Sequence, residues 1–440
     1  MMDYTGRVAQ ADTFAKLLRL NAREHGGEIA LREKDFGLWR LFTWNDYQTR
    51  VHDFALGLIE LGLGRGDVIG IIGDNRPDWV SAEIATHAIG AMSLGLYRDV
   101  LDEEAAYLLS YGEAKLVFAE DEEQVDKLLT LADRVPNLKH IIYSDPRGMR
   151  KYDDPRLMAA DKLASMGRDR AAREPGLYDK LVDATKGEDV AILCTTSGTT
   201  ANPKLAMLAA GRVLRHCAAY LSFDPKGPDD EYVSVLPLPW IMEQVYALGK
   251  SLLCRMKVNF VEQPDTMMND FREIAPTFVL FAPRLWKSIA ADVRAQVMDS
   301  SPLKQSLYEI GMKTGLSALA QGKRSVIADA LLFRALRDRL GLRGCARRRP
   351  GAPRSVRTPS NSFRSWACRC ARCTARPNCS APTRCIDLAR STPTPQAWRW
   401  PTISRFASTI RISMASAKSW CATPTCSWAT TRALKPPPPI

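Results

Sequence analysis

Apolar and polar positions along the first 343 residues follow helical and strand periods in turn. Residues 12–24 place apolar side chains at helical spacing behind Asp12, which predicts a helix with that aspartate as its N-cap. Thr43 precedes a second helical pattern and predicts another N-cap. The apolar stripe of this second helix consists of Val51, Phe54, Ala55 and Leu58. A long helical stretch is also predicted from about residue 303 to 341.

Short apolar runs rich in β-branched residues alternate with these helical patterns. The predicted strands are residues 67–73, 116–120, 140–145, 189–195, 232–238, 257–262 and 277–282. Because such runs are apolar throughout and are separated by helices, they predict an α/β fold with a parallel sheet. Residues 146–186 are charged and contain the turn-like stretches DPR, DDP and REPG, which predict an excursion over the surface.

Both periodicities end after Arg343. Residues 344–440 are rich in Arg, Pro, Ser and Cys and show no apolar face, so they predict an irregular, disordered tail. The sequence therefore predicts two parts, a folded one over residues 1–343 and a tail over 344–440.

The charges and cysteines divide at the same place. The chain has a net charge of +12, but residues 344–440 hold 17 of the 61 Lys and Arg and only one of the 49 Asp and Glu. The first 343 residues therefore carry a net charge of −4, which is ordinary for a soluble enzyme. Eight of the 11 cysteines also lie in the tail. The basic character belongs to the tail and not to the folded part.

The first part gives no sign of export. Its N-terminus lacks a basic stretch followed by an apolar core, and no apolar run approaches the roughly 20 residues of a spanning helix. Three cysteines in 343 residues suit a reducing compartment. We therefore expect a cytoplasmic protein, with peripheral contact at the inner face of the membrane left open.

The stretch TTSGTTANPK at residues 195–204 follows an apolar strand and predicts a loop that binds polyphosphate. Its donors are the hydroxyls of Thr196, Ser197, Thr199 and Thr200, the backbone around Gly198 and the charge of Lys204. It differs from the loop of phosphoryl-transfer enzymes, because the second glycine and the Ser or Thr after the lysine are missing. A Ser/Thr-rich surface turn is the alternative interpretation.

This stretch resembles the phosphate-binding signature T-[ST]-G-T-T-G-x-P-K-G of the adenylate-forming family, which includes acyl-CoA synthetases, luciferases and peptide-synthetase adenylation domains. Ala201 and Leu205 replace two glycines of the signature, and neither change removes a donor. Four more segments resemble family motifs in the same order: DNRPDW (74–79), GLYRD (95–99), LPLPWIMEQ (236–244) and APRLWKSI (282–289). The last resembles the long-chain fatty-acid branch.

The resemblance implies most of the large N-terminal domain of the adenylate-forming fold, with layered sheets and flanking helices. It also implies a two-step reaction with ATP and CoA as co-substrates. A fatty acid or related carboxylate attacks the α-phosphorus of ATP, and the thiol of CoA then displaces AMP from the acyl-adenylate.

The resemblance also assigns residues to the reaction. Thr196 to Thr200 and Lys204 would hold the β- and γ-phosphates, and Thr196 would assist Mg²⁺. Trp240 stands where the family usually has His, and Glu243 matches the family's Glu. Both are expected on the acyl side of the site, although Trp240 equally fits a core aromatic.

The family's later motifs are absent from the tail as written but emerge when its codons are shifted by one base. With suitable synonymous codons, the shift gives Tyr-Gly-Gln-Thr-Glu from Cys373 to Asn378 and Thr-Gly-Gly-Ala-Ala-Leu-Gly-Pro from Arg349 to Arg357. It also permits Gly-Val-Gly-Glu-Ile-Val-Val-Arg within Met414 to Arg432. Three motifs in family order indicate that one base was lost, or two gained, near codons 343–345.

Other functional classes stay open at this point. The polypeptide is either a carboxylate–CoA ligase by descent that lacks its catalytic half, or a non-catalytic remnant that binds nucleotide or acyl groups. A basic nucleic-acid-binding protein is a third hypothesis, which rests on the tail alone. The tail cysteines at 368, 370, 373, 379 and 385 resemble zinc spacing, but out-of-frame translation of GC-rich codons accounts for them and for the arginines together.

Overall fold

A computed structural model describes residues 2–196, 203–321 and 325–346 of the chain. These residues form a layered α/β structure with two sheets, which confirms the predicted fold class. The predicted tail lies outside the described residues except for its first three, which form a 3₁₀ turn at Gly344–Ala346.

The described strands match most of the predicted apolar runs. They are β1 (Ile29–Asp35), β2 (Leu38–Thr43), β3 (Val68–Ile72), β4 (Met92–Leu96), β5 (Ala114–Ala119), β6 (His140–Tyr143), β7 (Leu157–Ala159), β8 (Val190–Thr196), β9 (Lys204–Ala209), β10 (Glu231–Ser234) and β11 (Lys257–Phe260).

Helices connect these strands and cover the sheets. They are α1 (Tyr4–Gln10), α2 (Phe14–His25), α3 (Trp44–Glu60), α4 (Pro77–Ala88), α5 (Asp102–Tyr111), α6 (Glu122–Leu131), α7 (Ala160–Arg173), α8 (Leu177–Ala184), α9 (Ala210–Phe223), α10 (Ile241–Glu243), α11 (Ser251–Cys254), α12 (Met267–Ile274), α13 (Pro283–Met298), α14 (Pro302–Ala320), α15 (Val326–Ala328) and α16 (Arg334–Arg339). Two π-helical stretches, Gln244–Lys250 and Asp329–Phe333, join α10 to α11 and α15 to α16. Short 3₁₀ turns occur at Ala132–Arg134 and Met149–Lys151.

The larger sheet has seven strands in the order β7-β6-β5-β3-β4-β8-β9. All neighbours are parallel except β8 and β9, which form an antiparallel pair. Every residue of the central strand β3 is buried, because helices pack on both faces of the sheet. This double cover explains why the strand is apolar at every position instead of alternating.

The smaller sheet has four strands in the order β10-β11-β1-β2. Strands β10, β11 and β1 run parallel, and β2 returns beside β1 as a hairpin. The hairpin turns at Phe36 and Gly37, whose φ angles of 47° and 77° match a two-residue turn with two left-handed residues.

The N-cap at Thr43 is confirmed, whereas the one at Asp12 is wrong. Thr43 and Asp46 form a reciprocal capping box at the start of α3. Helix α2 is capped by Thr13 instead of its neighbour. The carboxylate of Asp12 is engaged by Lys16 and by the backbone N–H of Gly187, at 2.9 and 2.8 Å, so it is not available for the cap.

The prediction that residues 146–186 run over the surface is wrong. Strand β7 extends the large sheet beside β6, and α7 packs closely on α3. A Cβ atom on Gly167 would lie 1.8 Å from the carbonyl oxygen of Asp53, and one on Gly57 would lie 2.4 Å from that of Leu163. The two helix backbones therefore approach at glycines, which leaves little apolar signal in the sequence.

Two further expectations are corrected in part. Residues 277–282 form a single bridge between Phe278 and Tyr232, not a strand. The helical stretch from 303 to 341 is divided into α14 and the shorter α15–α16 region. Among the described helices, none has both the length and the apolar character needed to cross a membrane.

Candidate functional site

Polar segments follow the carboxyl ends of four parallel strands in the large sheet. Asn75 comes after β3, Tyr97 after β4 and Glu120 after β5, and Thr196 closes β8. Neighbouring parallel strands end at the same edge of a sheet, and the chain crosses from β4 back over β3 to β5 at this point. Ligands of open α/β sheets bind at such an edge where the strand order reverses.

The predicted phosphate loop lies between the antiparallel strands β8 and β9. Thr196 and Lys204 are directly opposed in this pair, and the hydroxyl of Thr196 donates to the carbonyl oxygen of Lys204 over 3.1 Å. The side chain of Lys204, the first residue of β9, is exposed. Ser197, Gly198, Thr199 and Thr200 lie outside the described residues, so their role as phosphate ligands stays a prediction.

The segment Leu236–Gln244 crosses the carboxyl edge of the large sheet next to this hairpin. The thiol of Cys194 in β8 contacts the carbonyl oxygen of Pro239 at 4.0 Å. A Cβ atom on Gly95 in β4 would lie 3.0 Å from Pro239. These contacts of Pro239, the residue before Trp240, place the segment against the strand that ends at Thr196.

Trp240 is the N-cap residue of α10, and its carbonyl oxygen accepts hydrogen bonds from Glu243 and Gln244. Its side chain is half-buried. Its place beside the hairpin fits a residue on the acyl side of the site, and that role stays a prediction.

Glu243 is completely buried between two hydroxyl groups. Tyr232 donates to one carboxyl oxygen over 2.6 Å, and Ser234 donates to the other over 2.5 Å. Burial raises the pKa of Glu243 to about 8, although the two hydrogen bonds act to lower it. The carboxyl group is therefore mostly protonated at neutral pH. Both oxygens are engaged inside the protein, and a role for Glu243 toward substrate stays a prediction.

A second buried carboxyl group, Glu83 in α4, was not found from the sequence. It accepts hydrogen bonds from Ser93 at 2.8 Å and from Gln244 at 3.0 Å, and His87 contacts the same serine at 3.1 Å. Burial raises the pKa of Glu83 to about 7 and lowers that of His87 to about 3. The carboxyl group contacts the serine and not the histidine, so this trio does not have the order of a catalytic triad.

Lys250, at the end of the first π-helical stretch, is also completely buried. Its ammonium group lies 4.0 Å from the ring centroids of both Tyr220 and Tyr246 and 5.5 Å from that of Phe278. Among the described residues it has no hydrogen-bond partner, and desolvation lowers its pKa to about 8. The sequence shows only a lysine among apolar residues, because the rings come from three separate segments.

The described residues do not form a magnesium site by themselves. Thr196 offers one hydroxyl oxygen, which already donates to a backbone carbonyl. In the described part of the chain, no group of three or more His, Cys, Asp or Glu side chains is placed to hold a metal ion. Proteins usually bind Mg²⁺ through one or two carboxylates together with substrate phosphates, so no catalytic step is assigned to a metal in these residues.

Comparison with known proteins gives matches over the same region. A model of the AMP-binding enzyme family matches residues 18–331. A long-chain-fatty-acid–CoA ligase of Xenopus laevis is 27% identical over 363 residues, which cover 77% of this chain and 47% of the relative. Fatty acyl-CoA synthetase A of Dictyostelium discoideum is 28% identical over 315 residues, covering 68% and 45%. The chain thus spans about half the length of these relatives.

Solved structures show the same fold. A putative long-chain-fatty-acid CoA ligase from Rhodopseudomonas palustris superposes with a TM-score of 0.52 at 18% identity, over 66% of this chain and 67% of that one. The A domain of a carboxylic acid reductase from Segniliparus rugosus, in complex with AMP and a co-purified carboxylic acid, gives a TM-score of 0.52 at 20% identity. That match covers 67% of this chain and 53% of the reductase domain.

Proposed function

Because the chain belongs to the AMP-binding enzyme family, we propose that its gene descends from an ATP-dependent carboxylate–CoA ligase of the long-chain fatty-acid type. The reaction is the formation of acyl-CoA, AMP and pyrophosphate from a fatty acid, ATP and CoA through an acyl-adenylate. The observation that carries this proposal is the hairpin of β8 and β9, where Thr196 opposes Lys204 beside the Trp240 segment.

In this proposal the hairpin binds the pyrophosphate portion of ATP. The charge of Lys204 offsets the negative charge of the β- and γ-phosphates, and the hydroxyls of Ser197, Thr199 and Thr200 with the backbone at Gly198 donate to their oxygens. The hydroxyl of Thr196 joins them by turning away from the carbonyl oxygen of Lys204. The carboxylate is held on the side of Trp240 and Glu243. The chemistry is then mainly positioning of the two substrates and neutralisation of charge that develops on the leaving pyrophosphate.

The fatty-acid type is supported by the two relatives, which are a long-chain-fatty-acid–CoA ligase and a fatty acyl-CoA synthetase. The motif at 282–289 resembles the same branch and forms the start of α13. Its Trp286 packs against Phe281, with ring centroids 4.8 Å apart. We propose ATP, CoA and a long-chain carboxylate as the substrates, with Mg²⁺ entering together with the nucleotide.

We further propose that residues 344–440 come from the same gene in a shifted reading frame. Residues 1–343 are then a partial adenylating domain, and the tail replaces the remainder together with the small C-terminal domain. The adenine loop, the Mg²⁺-holding Glu, the ribose-binding Asp and the C-terminal lysine of the family are absent from residues 344–440 as written. The 440-residue polypeptide is therefore inactive or severely impaired in acyl-CoA synthesis, and acts at most as a remnant that binds nucleotide or acyl groups.

The cellular location follows from the same proposal. We place the protein in the cytoplasm, where ATP and CoA are available, with peripheral contact at the inner face of the membrane to reach its acyl substrate. The arginines of the tail would adhere to polyanions at low salt without sequence preference, so no specific nucleic acid is a partner.

Pyrophosphate binding by the 440-residue protein tests the phosphate site. Loss of a charged donor to phosphate removes on the order of 1.5–3 kcal/mol, so Lys204→Gln should weaken binding roughly 10- to 100-fold. Calorimetric titration at about 0.15 M salt measures the change and limits binding to the tail. Lys180→Gln, an exposed lysine in α8, is the matched control and should bind as the wild type does. Equal affinity of the wild-type and Lys204→Gln proteins would refute the assignment.

A further inference from the structure

Asn75, in the loop after β3, uses its whole amide group to hold a segment that follows β10 in the other sheet. Its Nδ2 donates to the hydroxyl of Ser234 over 2.8 Å and to the carbonyl oxygen of Leu236 over 2.7 Å. Its Oδ1 accepts from the backbone N–H of Leu238 over 3.1 Å. Both N–H groups and the carbonyl oxygen are therefore engaged, a pattern that a carboxylate of the same size cannot reproduce.

The bonds of Asn75 continue into the buried carboxyl group of the same segment. The hydroxyl of Ser234 accepts a hydrogen bond from Asn75 and donates one to the carboxyl group of Glu243. Gln244, the residue after Glu243, donates a hydrogen bond over 3.0 Å to Glu83 in α4, a helix that packs on the large sheet. The stretch from Ser234 to Gln244 is thus fixed near both of its ends by polar side chains of the large-sheet layer.

Arg76 makes a parallel connection one residue later. Its guanidinium donates to Glu120 at the end of β5 over 2.9 Å. It also donates to the carbonyl oxygens of Val261 and Glu262, which follow β11, over 3.2 and 3.0 Å. Two successive residues of the segment DNRPDW therefore join the carboxyl ends of the two sheets. Asn75 binds the chain at the end of β10, and Arg76 binds the chain after β11.

The segment held by Asn75 is the one that reaches the phosphate hairpin. Pro239 and Trp240 directly follow Leu238, whose backbone N–H donates to Asn75. Pro239 packs on Gly95 and contacts Cys194, two residues before Thr196. The position of Trp240 relative to the hairpin is consequently set by the two residues before it, Leu238 bonded to Asn75 and Pro239 bonded to Cys194.

We propose that Asn75 is a positioning residue for the acyl side of the site. It fixes the segment Leu236–Trp240 at the carboxyl edge of the large sheet, so that a bound carboxylate is presented to the nucleotide held by the β8–β9 hairpin. This inference rests on the proposed function for the identity of the two ligands. The clamp itself stands on the hydrogen bonds of Asn75.

The test compares Asn75→Ala with Asn21→Ala in the 440-residue protein. Asn21 is completely buried and donates to the carbonyl oxygen of Leu252 over 2.9 Å, so its loss also removes an inter-element asparagine bond, but away from the clamp. Hydrogen–deuterium exchange followed by mass spectrometry reports on peptides covering residues 235–244, 68–72 and 92–96. Equilibrium dialysis with radiolabelled palmitate below its micellar concentration and calorimetry with pyrophosphate report on the two sides of the site.

Asn75→Ala should speed amide exchange in residues 235–244 at least about tenfold, since it removes three hydrogen bonds, and leave residues 68–72 and 92–96 unchanged. Palmitate affinity should fall about tenfold, while pyrophosphate affinity changes less than twofold. Asn21→Ala should leave exchange in residues 235–244 and palmitate affinity at the wild-type level.

Uniformly faster exchange in both sheets of Asn75→Ala would show a general structural role and overturn the proposal, as would unchanged exchange in residues 235–244. Equal losses of palmitate and pyrophosphate affinity would also overturn it. If the wild-type protein binds pyrophosphate but not palmitate, the acyl substrate of the proposed function fails, and the exchange data alone then decide whether Asn75 acts as the clamp.

Discussion

At the level of single residues, the sequence predicts side chains whose partners are close along the chain. The cap at Thr43 is confirmed because its partner, Asp46, is three residues away. The cap at Asp12 is wrong because that carboxylate takes a backbone N–H from Gly187, which is 175 residues away. Asn75 lay inside a recognised motif, but its bonds to residues 234–238 depend on how two sheets meet. Local patterns carry no information about such contacts.

Lys250 gives a prediction at this scale. Burial lowers its pKa to about 8 from an ordinary value of 10.5, chiefly through desolvation of the ammonium group and further through repulsion from Lys226. The unfolded chain therefore binds a proton more tightly than the folded one, and stability is lost as the pH falls through 10.5 toward 8. Lys250→Met removes this cost and should raise the free energy of unfolding at pH 7 by on the order of 1–3 kcal/mol.

Urea unfolding of both proteins between pH 7 and pH 10.5 measures this difference. The gain of Lys250→Met should be constant below about pH 8 and should shrink as the pH approaches 10.5. Lys180→Met, at an exposed site in α8, should show no such trend. A Lys250→Met protein that is less stable than wild type at pH 7 would mean that the contacts with Tyr220 and Tyr246 outweigh desolvation.

At the level of elements, continuous apolar runs identified six of the nine described strands that pair in parallel, whereas β1, β4 and β7 were not predicted. The failures have physical causes. Residues 277–282 are apolar enough for a strand, but Phe278 stacks against Tyr246 with ring centroids 5.1 Å apart and makes only one bridge. Residues 146–186 are too charged and too rich in small residues to suggest a strand of the sheet or a helix packed against α3. The hairpin partner β9 was not predicted, since its pairing with β8 depends on the loop between them.

The close approach of α3 and α7 gives a prediction for an element. Gly→Ala in an open helix interior stabilises a protein by about 1 kcal/mol, whereas overpacking a tight interface costs about 1–3 kcal/mol. A Cβ atom at position 167 would lie 1.8 Å from a backbone oxygen, which cannot rotate away. Gly167→Ala should therefore lower the free energy of unfolding by at least about 2 kcal/mol.

Thermal and urea unfolding measure this effect. Gly64→Ala is the control, because nothing lies within 4 Å of its added Cβ atom, and it should be neutral. A Gly167→Ala protein as stable as wild type would show that the helices separate at no cost and that their contact does not hold residues 160–173 in place.

At the level of the whole molecule, the change of composition near residue 343 was the most informative feature of the sequence. The family match ends at residue 331, and the chain spans about half the length of its relatives. The fold of the first part and its family could be predicted because five motifs occur in the order typical of the family. The acyl chain length was not, because it depends on how side chains pack around the segment at 236–244.

We propose that this chain carries the first half of an acyl-CoA ligase and that the second half of its gene lies in another reading frame. Its most direct test is acyl-CoA formation from palmitate, ATP and CoA by two proteins at equal folded concentration, the 440-residue form and a frame-restored, completed form. Loss of one preorganised group typically costs 10²–10³ in rate, and several are missing here. We expect turnover by the restored protein and none detectable by the 440-residue form; comparable turnover by both would show that residues 344–440 supply the missing catalytic groups.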